Sequence, residues 1–147
     1  MIVNTPQQTF RAALGQFFVK ETSTENLAAA RSLIERSETA GADLLVLPEC
    51  IIARRLGMPD WGQKQAEPLD GPFVSGLREA TRGRRVTVVC TVQAKIANES
   101  RYANDLLVIQ NGELRLTYQK IHLYDAFRGK ESSYAAPGDV LPQVLQI

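Results

Sequence analysis

The sequence predicts an α/β fold: a mixed β-sheet with a crossover helix between its first two strands. Three observations carry the prediction. An amphipathic stretch near the N-terminus is flanked by two short apolar runs, the strand–helix–strand order of a parallel crossover. The second run, "ADLLVLPE", is apolar without alternation, as strands covered on both faces are. Further on, "DLLVIQ" and "ELRLTYQK" are separated by Asn111-Gly112, the pair that supplies the two positive φ values of a type I′ hairpin.

In chain order, residues 1–10 read as a polar tail, and one domain is expected over 11–147. "RAALGQFFV", Arg11 to Val19, is short and apolar and predicts a buried strand. Thr22 and Glu25 in "TSTE" stand at capping-box spacing, and Leu27, Ala30 and Ile34 then repeat at helical spacing to about Ala40. Gly41 is the expected stop. From Cys50 to Leu69 the glycines and prolines break any period; a connection this long is often functional. "LDGPF" opens a second helix, with Asp70 as its expected cap, Pro72 in its first turn and Phe73, Leu77 and Ala80 on one stripe. "VTVVCTVQAKI" is a β-branched strand. In the second hairpin strand Leu114, Leu116 and Tyr118 share a face. "PGDVLPQVLQI" is expected to close the chain with a turn and a short strand.

Composition narrows the function. With 147 residues, 44% apolar and 22% charged, the chain can bury a core and is not of disordered type. A net charge of +1 gives no field to recruit nucleic acid or an acidic membrane. The cluster Arg78, Arg82, Arg84 and Arg85 falls where cations suit a helix C-terminus. No run of about 18 apolar residues encodes a membrane span, and "MIVNTPQQTF" is unlike a secretory signal. Cys50 and Cys90 make neither a disulfide framework nor a metal site, so a reducing cytoplasm is expected, with no metal and no cofactor.

Two charged residues stand where chemistry is possible. Glu49 ends the apolar run, at the carboxyl end of a predicted strand, where ligands bind in open α/β sheets. It is a solvated strand-end acid, a helix cap, or a functional carboxylate whose ionised form needs a cation nearby. Lys120 ends the second hairpin strand. It is a rim lysine, or an ammonium that keeps a carboxylate ionised and stabilises an oxyanion. His122, the only histidine, reads as a hydrogen-bonded structural residue. No nucleophile elbow is present.

"GADLLVLPEC" together with "YQKIHLYDAF" resembles the nitrilase, or carbon–nitrogen hydrolase, superfamily. Supporting matches are "ALGQF", "LDGPF", "YANDLLVIQNGEL" with Asn104, and "KES" followed by "APGD". Gln119 stands where the family usually has Arg, and "HLYDAF…ES" is most similar to the deaminated-glutathione amidase and omega-amidase branch. The resemblance implies the N-terminal portion of a four-layer α-β-β-α sandwich, incomplete here. It also implies a Glu-Lys-Cys triad that hydrolyses a small amide, such as an ω-amide of a keto or dicarboxylic acid, through a thioester. On this sequence Glu49 matches the general base, Lys120 the oxyanion-stabilising lysine and Glu131 the second glutamate. The nucleophile of the family lies downstream of the lysine in a Cys-Tyr-Asp tract, and these residues do not include it. Cys50 directly follows Glu49, so in extended backbone its side chain should point away from that carboxylate. Cys90 reads as a small core residue. The expectations are a chain inactive by itself, exposed strands and apolar faces that favour self-association, and, as an alternative, a non-catalytic half-domain that pairs with itself or with a full-length family member. A flavodoxin-like domain would also fit the β-α-β start, but no glycine-rich phosphate loop supports it.

Overall fold

A computed structural model describes residues 9–127 and 129–147, so all of the predicted N-terminal tail except Thr9 and Phe10 lies outside the described residues. The elements run β1 (Ala12–Leu14), α1 (Ser23–Thr39), β2 (Leu44–Val46), α2 (Trp61–Gln65), α3 (Pro72–Thr81), β3 (Thr87–Lys95), β4 (Tyr102–Gln110) and β5 (Glu113–Gln119), then a 3-10 turn at Glu131–Ser133 and β6 (Ala135–Ala136). They form one mixed sheet in the order β1-β2-β3-β4-β5, with β6 added to β4. β1, β2 and β3 are parallel; β3, β4 and β5 are antiparallel; β6 runs parallel to β4.

Local chemistry explains the ends of the long elements. Thr22 caps α1: its hydroxyl oxygen accepts from the Glu25 N–H at 3.4 Å and donates to the Glu25 carboxylate at 2.6 Å. At the other end Gly41 takes φ +68°, and the Arg11 guanidinium donates to the freed Ala40 carbonyl at 2.6 Å. The hairpin turn has φ +49° at Asn111 and +80° at Gly112, the type I′ geometry the sequence predicts. It is tied to the C-terminus of α3 by Arg78, which donates to the Gly112 carbonyl at 2.9 Å. The other arginines of that cluster also have partners: Arg84 donates to the Ala80 carbonyl, Arg82 pairs with Glu79 and Arg85 with Asp43.

α1 and α3 pack on one face of the sheet. Ile34, Phe73 and Leu77 meet Leu45, Val88, Val92, Leu107 and Ile109, all at most 1% exposed. Cys90 belongs to this core, as expected. On the opposite face Leu44, Val46, Val89, Leu106, Leu116 and Tyr118 stay partly exposed, and Leu14 is 80% exposed. The molecule is thus one helix layer on one sheet layer.

Several expectations need correction. β1 is three residues long, not nine; the last backbone bond to β2 is that of the Gly15 N–H to the Val46 carbonyl at 2.8 Å, and a Cβ at Gly15 would come within 2.8 Å of Leu47. β2 is covered on one face only: Leu45 is buried while Leu44 and Val46 are not. The irregular stretch contains α2. Gly71, not Asp70, is the N-cap of α3, and Glu67 supplies the capping acceptor, 2.8 Å from the Phe73 N–H. No strand forms after Pro137; the pairing with β4 is made earlier, by Ala135 and Ala136.

Candidate active site

The site lies on the sheet face opposite α1 and α3, past the carboxyl end of β2, with Trp61 and Gly62 of α2 in its lining. The Leu47 N–H still donates to the Val89 carbonyl at 2.8 Å; after Pro48 the ladder is interrupted and resumes where the Ile51 N–H donates to the Thr91 carbonyl at 3.0 Å. Cys50 then takes φ +54°, a conformation that costs a non-glycine residue energy and persists only when its surroundings impose it. Here they do. The Cys50 N–H donates to the Thr91 hydroxyl at 2.7 Å. The Gln93 side chain, 3% exposed, accepts from the Ile52 N–H at 3.1 Å and donates to the carbonyls of Cys50 at 3.1 Å and Ala53 at 2.9 Å. Ile51 and Ile52, both fully buried, anchor the turn. Cys50 is therefore not extended, and its side chain lines the same cavity as Glu49. This overturns the expectation that it points away.

Lys120 is one residue past β5, and its N–H still donates to the Asn104 carbonyl at 2.9 Å. By strand alternation its side chain shares the open face with Leu116 and Tyr118. Glu131 begins the 3-10 turn. Its carboxylate accepts from the Tyr124 N–H at 2.6 Å, so it also ties Tyr124 to the 3-10 turn.

These three side chains meet. Lys120 Nζ lies 3.1 Å from Glu49 Oε1 and 3.2 and 3.0 Å from the two Glu131 oxygens. Asn104, from β4, donates through Nδ2 to Glu49 Oε1 at 2.7 Å and to Glu131 Oε1 at 3.3 Å. Both Glu49 contacts use Oε1; among the described residues Oε2 has no partner. The cluster opens into a cavity of about 500 Å³ that Tyr102, Tyr124 and Tyr134 also line, with the exposed Arg54 and Arg55. That volume is in the range of small-molecule sites.

The charges are mutually adjusted. Burial pushes the Glu131 carboxyl up, but the Tyr124 N–H, Lys120 and Asn104 together outweigh it and hold the group below its ordinary value. Burial likewise pulls Lys120 down, and its hydrogen bonds to Glu131 and Glu49 more than reverse that, so the ammonium persists above its usual range. For Cys50, burial first and then the Glu49 charge push the thiol up to about 12, against the Tyr102 hydroxyl and Lys120. Burial alone does the same to Cys90. Neither thiol is poised as a thiolate near neutral pH.

His122 is exposed on the turn beyond β5, and no side-chain hydrogen bond holds it among the described residues. Gln93 and the positioning contacts of Asn104 were not read from the sequence. The one signal for Gln93 is an amide in the otherwise apolar "VTVVCTVQA". Among the described residues no three His, Cys, Asp or Glu side chains come together as metal ligands do, and no helix is long and apolar enough to cross a membrane.

A carboxylate with one free oxygen, an ammonium and a second carboxylate thus meet in one cavity on a mixed α/β sheet. The chain belongs to the carbon–nitrogen hydrolase family, whose model matches residues 11–147. It is 31% identical over 135 residues to the deaminated glutathione amidase of Escherichia coli O157:H7, covering 92% of this chain and 51% of that protein. It is 27% identical over 139 residues to the omega-amidase NIT2 of Xenopus tropicalis, covering 88% and 48%. The crystal structure of an amidase from Nesterenkonia sp. superposes with a TM-score of 0.77 at 26% identity, over 94% of this chain and 51% of that one. A variant of the Nesterenkonia enzyme carries acrylamide added at its active-site cysteine. The chain spans about half the length of the relatives it matches.

Proposed function

We propose that this chain supplies the base and the oxyanion-stabilising cation of an amidase-type carbon–nitrogen hydrolase, which converts a small amide to an acid and ammonia through a cysteine thioester. The observation that carries the reading is the convergence of Glu49, Lys120 and Glu131 at 3.0–3.2 Å in one cavity. Glu49 takes the thiol proton on its free Oε2. The thiolate attacks the amide carbon, and Lys120 stabilises the oxyanion that forms. Glu49 returns the proton to the departing ammonia, then takes one from the water that cleaves the thioester. Glu131 keeps Lys120 charged and in place. We place the attacking thiol outside these 147 residues, because the resemblance puts the nucleophile downstream of the lysine and Cys90 is part of the apolar core. The chain by itself is therefore inactive. A small ω-amide of a keto or dicarboxylic acid is the substrate class we assign, in keeping with the names of the relatives. The free thiols of Cys50 and Cys90 support a reducing, cytoplasmic setting.

The test is ammonia release. No ammonia is expected from the 147-residue chain with deaminated glutathione; turnover that Glu49→Gln abolishes would move the nucleophile to Cys50. When the chain is extended by a cysteine-bearing C-terminal half, turnover is expected, and Glu49→Gln or Lys120→Met should lower kcat by roughly 10²-fold or more. An extended enzyme indifferent to both substitutions would sink the assigned roles.

A second reading is a non-catalytic half-domain that pairs with another copy of itself. It rests on Leu14 and Phe18, 80% and 71% exposed beside the open sheet face. Sedimentation as a monomer at all concentrations would dismiss it.

A further inference from the structure

Asn104 touches every member of the charged cluster. Its carbonyl accepts from the Lys120 N–H at 2.9 Å, which sets the height at which the lysine leaves the sheet. Its Nδ2 donates to Glu49 at 2.7 Å and to Glu131 at 3.3 Å. The residue is 1% exposed, and its Oδ1 is buried without a hydrogen-bond partner. The orientation of the amide is not in question, because a flip would set oxygen against a carboxylate oxygen at the same 2.7 Å. An asparagine kept only for folding would satisfy both ends of its amide, since a buried acceptor without a partner is destabilising. This one satisfies only the end that faces the two carboxylates.

We infer that Asn104 is a positioning residue that clamps Glu49 and Glu131 around Lys120, leaving Glu49 Oε2 as the oxygen that moves protons. The inference rests on the reading of Glu49 as the base. The physical need is clear. One ammonium cannot neutralise two carboxylates, so a second donor is required to keep both ionised and apart from each other's protons. A neutral amide supplies that donor without adding a third charge. The groups facing the cluster are Glu49 and Cys50 past β2, Tyr102 on β4, Lys120 past β5, and Tyr124, Glu131 and Tyr134 on the returning segment; Arg54 and Arg55 line the cavity.

The test is a carboxyl-carbon NMR titration of Glu131 in the 147-residue chain and its Asn104→Leu and Asn104→Asp variants. In the unaltered chain the Asn104 side-chain amide protons are expected to shift over the same pH interval as the Glu131 carboxyl carbon. In Asn104→Leu the Glu131 midpoint should rise, because the Asn104 amide is one of the donors that hold it down. Asn104→Asp, of the same shape, should raise it further through a third carboxyl. Asn104 amide signals that stay flat through the carboxyl titration would overturn the inference even if both variants failed to fold. So would midpoints unchanged in folded variants. Because the titration needs no substrate, its result separates from the amidase test: an intact clamp in an extended protein that releases no ammonia would fault the function and not the clamp.

Discussion

On the helix side of the sheet, Val88 and Val92 of β3 and Leu107 and Ile109 of β4 are completely shielded from water. One residue along the same strands, on the other side, Thr91, Gln93 and Asn104 turn toward the site, and Lys120 continues that face past β5. The helix side is closed and apolar; the other side is partly wetted and carries every side chain assigned a chemical role. The comparison teaches how one short stretch of strand serves two purposes. Side chains alternate across a sheet, so "TVQA" can give Val92 and Ala94 to the core and Thr91 and Gln93 to the site with no conflict between stability and chemistry.

Substitutions on the two faces should therefore differ in kind. The largest loss is expected from Phe73→Ala on α3, which empties a site that is 1% exposed and should cost about 3–5 kcal/mol in denaturant unfolding. A cost below about 1 kcal/mol would mean that the helix layer is not firmly docked. Gln93→Leu comes next. It removes the three hydrogen bonds that hold the turn at Cys50 and should cost about 2–3 kcal/mol. A crystal structure of the variant should show Glu49 displaced from Lys120; an unchanged Glu49 pose would deny Gln93 its part in building the site.

Lys120→Met should cost about 1–2 kcal/mol at neutral pH, less than a fully buried pair because the lysine side chain is 29% exposed. Its pH dependence follows from the shifts. The Glu131 carboxyl is held below its ordinary 4.5, so its contribution is complete above that value and is lost as pH falls through the lower folded value. The Lys120 ammonium is held above 10.5, so its contribution is complete below that value and is lost as pH rises through the higher folded one. The stability gap between parent and variant should be flat from about pH 5 to 10 and close on either side. A gap that widens in acid would contradict the ion cluster. The smallest effect is expected from Leu14→Ser on the open face, within about 0.5 kcal/mol. The same substitution in a longer form of the protein tests whether that face is covered there, where the cost should rise to about 2 kcal/mol.

Much of the fold was legible because its signals are local. The Thr22 cap, the Gly41 stop and the Asn111-Gly112 turn are each set within a few residues by φ preferences and capping chemistry, and each forms as the sequence predicts. The errors lie where distant segments decide. The "ALGQF" run stops being a strand after Gly15, whose N–H makes the last ladder bond, to Val46. α3 takes its capping carboxylate from Glu67 instead of Asp70, and the last pairing with β4 goes to two alanines instead of the apolar tail. Glu49 and Lys120 stood out by their places at strand ends; their roles, and Glu131, came through family resemblance. The backbone at Cys50 gave no warning, because its positive φ is imposed by Thr91 and Gln93, 41 and 43 residues further along the chain.

The sequence by itself determined both ends of α1, the hairpin turn, and membership in a hydrolase family, because each is written in neighbouring residues or in motifs. Only the tertiary structure decided that Glu49 meets Asn104, 55 residues away, and Lys120, 71 residues away. Such meetings depend on strand register and on one strained turn. Those are settled by packing and hydrogen bonding between segments that carry no local sign of one another.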